Sequence, residues 1–240
     1  MNNNFFDDYA SLPPQNINEP HQHVMFVCDR SYSMEGKALN NLLLAMNRFA
    51  DDIRKDEKAA RVIETSVIAF NGTPEVVQGW RSIEEMNRVS FTADGGTNIS
   101  AALELAIDET RKRVNTIPTE CHKPVIVLIT DGFGGDVTEV AEKIQKRITD
   151  GKLQMWILCV EGYHRETVSK LCQRDKNGEP INIVELVDGV GYDFSQFFNL
   201  LSKSMKAVSV SSPGAKVHVD VTSEEVSNLK VPDIDKWLNS

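Results

Sequence analysis

The sequence predicts a three-layer α/β fold with a mostly parallel central sheet. Two observations carry that expectation. Short runs that are apolar throughout, as strands are when both faces are covered, recur along the chain. Between them stand longer segments whose apolar residues return every three or four positions, the period of an amphipathic helix.

In chain order, HVMFVC at 23–28 reads as the first buried strand. Leu39, Leu42, Leu43, Met46, Phe49, Ala50 and Ile53 then recur at helical spacing. Residues 62–70 read as a second strand, closed by the turn pair Asn71-Gly72, and a short strand at 76–77 would complete a hairpin. From 98 to 114, Ile99, Ala102, Leu103, Ala106 and Ile107 make one helical face, and Arg111, Lys112 and Arg113 read as solvated cations that complement the helix dipole. VIVLIT at 125–130 is the most strand-like segment. A helix over 137–148, a strand over 153–160, a short helix over 165–171, a strand over 181–186 and a last helix over 194–208 follow. In that last helix Phe194, Phe197, Phe198, Leu200 and Leu201 read as core. Residues 1–20 form a polar arm, 21–208 the domain, and 209–240 a tail. In the tail, KVHVDV at 216–221 alternates like an added strand, and VPDIDKWLNS could anchor.

With 240 residues, 41% of them hydrophobic and 25% charged, the chain has the make-up of a soluble globular protein and enough length for a core. Acidic residues outnumber basic ones 35 to 26, and a net charge of -9 argues against a broad nucleic-acid footprint. A cationic or metal-mediated contact fits better. No apolar run reaches the length of a membrane span, and the opening residues have neither the basic start nor the apolar core of a signal peptide, so the expectation is a cytoplasmic protein. Cys28, Cys121, Cys159 and Cys172 lie far apart without a CxxC pair and read as reduced thiols.

In an open α/β sheet, ligands bind beyond the carboxyl ends of the strands. After the first strand comes Asp29-Arg30-Ser31-Tyr32-Ser33, and after VIVLIT comes Asp131-Gly132. Residues 93–98, ADGGTN, stand just before a helix, where the glycines permit a tight turn and Thr97 or Asn98 could cap it. Asp29 and Asp131 offer carboxylates; Ser31, Ser33 and Thr97 offer hydroxyls. All five are hard oxygens, which suit Mg2+, with Mn2+ or Ca2+ as alternatives, and suit Zn2+ poorly. Taken alone, the first loop reads as turn and capping residues. The joint pattern favours a metal site.

Other residues carry plainer readings beside functional ones. Asp94 would either hold a metal-bound water or be a solvated turn residue. DGFGGD at 131–136 lacks the Lys-Ser/Thr ending of a phosphate-binding loop and reads as a flexible rim. His21 and His23 have HxH spacing, but no cysteine or third histidine nearby completes a site.

VMFVCDRSYSMEG, TADGGTNISAAL and VIVLITDG resemble, in order, the three loops of the metal-ion-dependent adhesion site in the von Willebrand factor type A domain family. The resemblance covers residues 21–208 and implies a doubly wound, Rossmann-like fold with helices on both faces. It implies that Ser31, Ser33 and Thr97 give hydroxyls to the ion, that Asp29 and Asp131 bind it directly or through water, and that a partner's carboxylate takes the remaining position. Tyr32 stands where the commonest version has glycine, and Arg30 adds a cationic contact. Arg30, Tyr32, Asp94 and Phe133 are the expected rim. Within the family, TADGGTNISAALELA and FFNLLSKSMKAVS are most similar to bacterial TerY-like proteins, linked with tellurium resistance and stress responses. That implies partners such as a protein kinase and a phosphatase.

The expected function is a non-enzymatic, Mg2+-dependent protein–protein interaction module. An alternative is a Mg2+-dependent phosphoryl-transfer hydrolase with Asp29 as nucleophile. For it, Ser31 stands where a second carboxylate would be expected, and no GxSxG or HExxH occurs. A third possibility is a structural ion that only ties the loops together.

Overall fold

Every residue of β1, Gln22–Asp29, is buried. Val24, Phe26 and Cys28 face one apolar core while Met25 and Val27 face another, which is why the run shows no polar alternation. The computed structural model describes residues 10–132, 134–172, 174–179, 181–187, 189, 191–220 and 222–232. After β1 come α1 (Lys37–Ile53), α2 (Glu57–Val62), β2 (Ile63–Phe70), β3 (Pro74–Ser82), α3 (Ile99–Val114), β4 (Val125–Thr130), α4 (Thr138–Thr149), β5 (Gln154–Cys159), α5 (Arg165–Lys170), β6 (Asn182–Leu186), α6 (Ser195–Ser209) and β7 (Leu229–Lys230). Single 3-10 turns occupy Tyr32–Met34 and Ile83–Glu85.

The sheet order is β3-β2-β1-β4-β5-β6-β7. β1 pairs in parallel with both β2 and β4, and β4-β5 and β5-β6 are also parallel. Among the described residues only the two edge pairings, β2-β3 and β6-β7, are antiparallel. Residues of α1, α2 and α6 fill the core on one face, and those of α3, α4 and α5 fill the core on the other. The expected three-layer, doubly wound, mostly parallel α/β architecture is therefore the one observed. α6 packs on α1 and the sheet through Phe198, whose ring lies 5.9 Å from both Phe26 and Phe49. Lys206 of α6 also donates to Asp52 of α1 at 2.7 Å.

Three local expectations differ from the structure. The short strand at 76–77 is instead nine residues long, Pro74–Ser82; as an edge strand with a half-exposed outer part it shows no continuous apolar run. α2 was not expected: six residues carry little periodicity, and Asp56 starts it by accepting from the Ala59 amide at 2.9 Å. In the tail, residues 216–220 form no strand, and the β6 edge is taken by Leu229–Lys230. Alternation there keeps Val217 and Val219 half-buried without a ladder.

The arm lies on the domain. Leu12 donates to the Trp80 carbonyl at 2.7 Å, the Trp80 amide donates to Ser11 Oγ at 3.0 Å, and Glu19 pairs with Lys58 and Arg61 of the α2 region. Among the described residues no helix is long and apolar enough to cross a membrane.

Candidate functional site

From β1 the chain crosses to β2 on one side and, later, to β4 on the other, so a crevice opens beyond the carboxyl ends of β1 and β4. Asp29 ends β1 at 0% exposure. Its Oδ1 accepts from the Ser31 amide at 2.9 Å, and its Oδ2 accepts from Thr130 Oγ1 at 2.6 Å. Thr130 Oγ1 in turn accepts from the Gly132 amide at 2.8 Å, so this carboxylate links the first loop to the loop after β4. Ser31 and Ser33 lie on one side of the first loop, with their hydroxyls 3.0 Å apart.

The second loop is bonded to the first through its backbone. Asp94 donates to the Arg30 carbonyl at 2.8 Å, and Tyr32 donates to the Gly95 carbonyl at 3.2 Å. Gly95 takes φ +68, a left-handed conformation that favours glycine. Asn98 caps α3 by accepting from the Ala101 amide at 3.1 Å, so the capping role falls to Asn98 and not to Thr97. Thr97 meets the third loop: a Cβ built on Gly134 would stand 2.8 Å from Thr97 Cγ2. Asp131, only 6% exposed, accepts through its carbonyl from the His164 amide at the start of α5. Asp29, Ser31, Ser33, Thr97 and Asp131 thus stand on three loops that touch one another.

The electrostatics match this crowding of oxygens. Burial pushes the Asp29 carboxyl up to about 6, against hydrogen bonds from Ser31 and Thr130 that lower it, and the neighbouring Asp131 charge raises it further. A donor set of carboxylates and hydroxyls fits a hard divalent cation. Of the expected rim, Tyr32 is 63% exposed and its hydroxyl hydrogen-bonds the exposed Asp94 carboxylate, which raises the phenol's proton affinity. Arg30 pairs with Glu75 at 2.9 Å. Phe133 lies outside the described residues.

At the opposite end of the sheet lies a buried cluster whose partners the sequence reading missed. Arg113, expected as a solvated cation, is 5% exposed and grips Glu64 with two hydrogen bonds of 2.7 Å. Arg111 and Lys112 remain exposed, as expected. His21 Nδ1 and His23 Nε2 lie 3.4 and 3.3 Å from the two Glu64 oxygens. Burial would raise the Glu64 pKa, but contacts from His21, His23 and Arg113 hold it far below the carboxylate range. Burial lowers the pKa of His23, whereas for His21 the contact with Glu64 outweighs burial and raises it. His21, His23 and Glu64 place three ligand atoms within 4.8 Å of one another. With Arg113 on both carboxylate oxygens, a divalent cation there would add charge beside a buried guanidinium, so the cluster is an ion-pair network. The one available signal was the lone Glu64 in an otherwise apolar or neutral strand.

A mixed, mostly parallel sheet between two helical layers, with three interlocked loops beyond its central strands, defines a doubly wound α/β domain whose loops carry the candidate site. The family model of the von Willebrand factor type A domain matches residues 24–133, somewhat under half of the chain, and the structural neighbours share the fold. The inter-alpha-trypsin inhibitor heavy chain H1 of Bos taurus is 25% identical over 156 residues, covering 62% of this chain and 17% of the bovine protein. The pilus adhesin SpaC of Lactobacillus rhamnosus GG, in an open conformation, superposes with a TM-score of 0.58 at 14% identity, over 82% of this chain and 31% of that one. The VWA domain of SpRpn10 gives 0.51 at 10% identity, over 74% of this chain and 95% of that one. The chain thus spans less than a fifth of the length of the curated relatives it matches. Domains of this family are typically protein–protein interaction modules and often bind a divalent metal ion.

Proposed function

We propose that the chain is a non-enzymatic, Mg2+-dependent interaction module that captures an acidic residue of a partner protein through a metal-ion-dependent adhesion site. Asp29, Ser31, Ser33, Thr97 and Asp131 would hold the ion, with Mn2+ or Ca2+ as alternative occupants. The observation that carries this reading is the contact of three oxygen-bearing loops around buried Asp29, whose proton affinity is raised by burial and, to a lesser extent, by the adjacent Asp131 charge. A bound divalent ion would neutralise those two carboxylates and present a Lewis-acidic position to a partner's carboxylate. The chain's own residues do the rest: Thr130 and the Ser31 amide orient Asp29, and Tyr32, Arg30 and Asp94 form the rim that a partner meets.

The partner side of the proposal is a TerY-like stress or phosphorylation-signalling complex in the cytoplasm, with a protein kinase and a phosphatase as partners. All four cysteines are free, which fits a reducing compartment. Both oxygens of Asp29 accept hydrogen bonds, which favours a ligand-holding role over a nucleophilic one. Calorimetric titration with Mg2+, and capture of the purified kinase or phosphatase in Mg2+ against EDTA, tests the reading. Uptake and capture should both vanish in Asp29→Ala. Equal capture with Mg2+, with EDTA and by Asp29→Ala refutes it. Turnover of a generic phosphate ester that is lost in Asp29→Asn would replace it with the hydrolase.

A further inference from the structure

Next to Arg30 of the first loop a groove of about 470 Å3 lies between residues 75–77 of the edge strand β3 and residues 90–92. Building on the ion-site reading above, we propose that this groove seats an extended partner segment carrying two acidic residues. One reaches the ion, and the other takes the place of Glu75 on Arg30.

Arg30 is fixed at the junction of the two regions. Its amide donates to the Phe70 carbonyl at 2.8 Å and its carbonyl accepts from Asp94 at 2.8 Å, while its side chain turns toward β3 to meet Glu75. The two partners differ in how firmly they are held. Arg30 is 18% exposed, whereas Glu75 is 53% exposed and faces water. A pair with so exposed an acid contributes little and is screened by salt, so a better-placed carboxylate can displace Glu75. Arg30 Nε is buried and makes no hydrogen bond, so half of the guanidinium fork is unused. A carboxylate seated deeper than Glu75 would engage both arms of that fork, the geometry in which arginine recognises carboxylates best.

The rest of the groove suits a strand. β3 is a sheet edge, and the arm bonds its backbone only at Trp80 among the described residues. Residues 75–77 make, among the described residues, no backbone hydrogen bond beyond the ladder to β2, and in an antiparallel pair alternate residues turn their amide and carbonyl away from the partner, so part of this stretch is open to an added extended peptide. Val77 and Phe91 give the groove apolar walls that continue into the core. Charge decides the occupant: a basic residue would find only exposed Glu75 and would be repelled by Arg30 and by a bound cation. Acidic residues on one face of a strand fall at i and i+2 or i+4, and that is the spacing expected.

The test uses the full chain and blocked Thr/Val-rich peptides carrying a single Asp, Asp-x-Asp, Asp-x-x-x-Asp, or Asp-x-Lys, with fluorescence anisotropy read in Mg2+ and in EDTA. A two-acid peptide should bind about tenfold tighter than the single-acid one, the gain for one charge-assisted hydrogen-bonded contact. Asp-x-Lys should gain nothing. That tenfold ratio should collapse toward unity in Arg30→Gln, be partly kept in Arg30→Lys, and widen in Glu75→Gln, with thermal melts confirming that each variant is folded. Mg2+-dependent binding with equal affinity for one and two acids, or an undiminished ratio in Arg30→Gln, overturns the groove proposal and leaves the ion reading standing. Absence of Mg2+-dependent binding by every peptide overturns the ion reading, and the groove proposal falls with it.

Discussion

A methyl group added at Gly134 would stand 2.8 Å from Thr97 Cγ2 and 3.1 Å from Ile99 Cγ1, well inside the ~3.5–4.0 Å optimum for carbon contacts. Neither neighbour yields easily. Thr97 is β-branched and stiff about χ1, and Ile99 is a fully buried residue that opens α3. Gly134→Ala should therefore cost about 1–3 kcal/mol, the range for an overpacked site. At about 2–4 °C per kcal/mol for a chain of this size, the loss is visible in a thermal melt. Because the clash presses Thr97 away from the loop that carries Asp131, Mg2+ uptake should weaken as well. Thr97→Ser deletes Cγ2 but keeps the hydroxyl, so the double variant should recover part of both losses, the contact with Ile99 remaining. A coupling of about 0.5–3 kcal/mol is expected between neighbours of this kind. Melts and Mg2+ calorimetry on the four chains check it. Strict additivity, or a Gly134→Ala chain as stable as the parent, refutes the close approach of the two loops. Coupled stability with unchanged Mg2+ affinity refutes Thr97 as a ligand.

Breaking the buried ion pair with Arg113→Met leaves Glu64 without its main partner and should cost about 3–5 kcal/mol in urea unfolding, whereas pairing it with Glu64→Gln should restore part of the loss; a cost below ~1 kcal/mol would contradict the geometry. The same cluster sets an acid limb. Glu64 is depressed in the fold, so its contribution is present above the unfolded carboxylate value and is lost as pH falls below about 4.5. Around pH 6.5, His21 gains on acidification because its pKa is raised, while His23 loses because its pKa is lowered, so melts should show a shallow slope there and a steep one below. Asp29 acts in the other sense. Its pKa is raised from 3.8 to about 6, so without a divalent ion the fold loses stability as pH rises through that window, on the order of 3 kcal/mol. In EDTA at neutral pH, Asp29→Asn should melt higher than the parent, and Mg2+ should raise the melting temperature of the parent alone; the reverse order would contradict the crowding of carboxylates.

The central layer was legible because β1 and β4 are covered on both faces, and such strands have to be apolar at every position. Helices α1, α3 and α6 were legible for the complementary reason that each buries one stripe. What escaped detection lies at edges and in pairings across the chain. β3 and β7 are edge strands whose exposed residues follow no apolar rule, and α2 is too short for its period to register. Arg113 looked solvated because two exposed cations precede it, and only the fold brings Glu64 within reach from β2. The three candidate loops could be singled out because each follows a strand or precedes a helix. The links that join them, Thr130 to Asp29 and Gly134 against Thr97, arise from strand order and close approach, which no local pattern encodes.

The central position of β1 also bears on how the chain acquires its shape. Val24 lies beside Thr65 on one flank and Val125 on the other, partners about 40 and about 100 residues further along. The hairpin of β2 and β3 can assemble locally, but the middle strand stays half-finished until β4 arrives. A fragment ending before residue 125 would therefore display the unpaired flank of the apolar stretch Val24–Cys28, the kind of surface that draws neighbouring chains into aggregates.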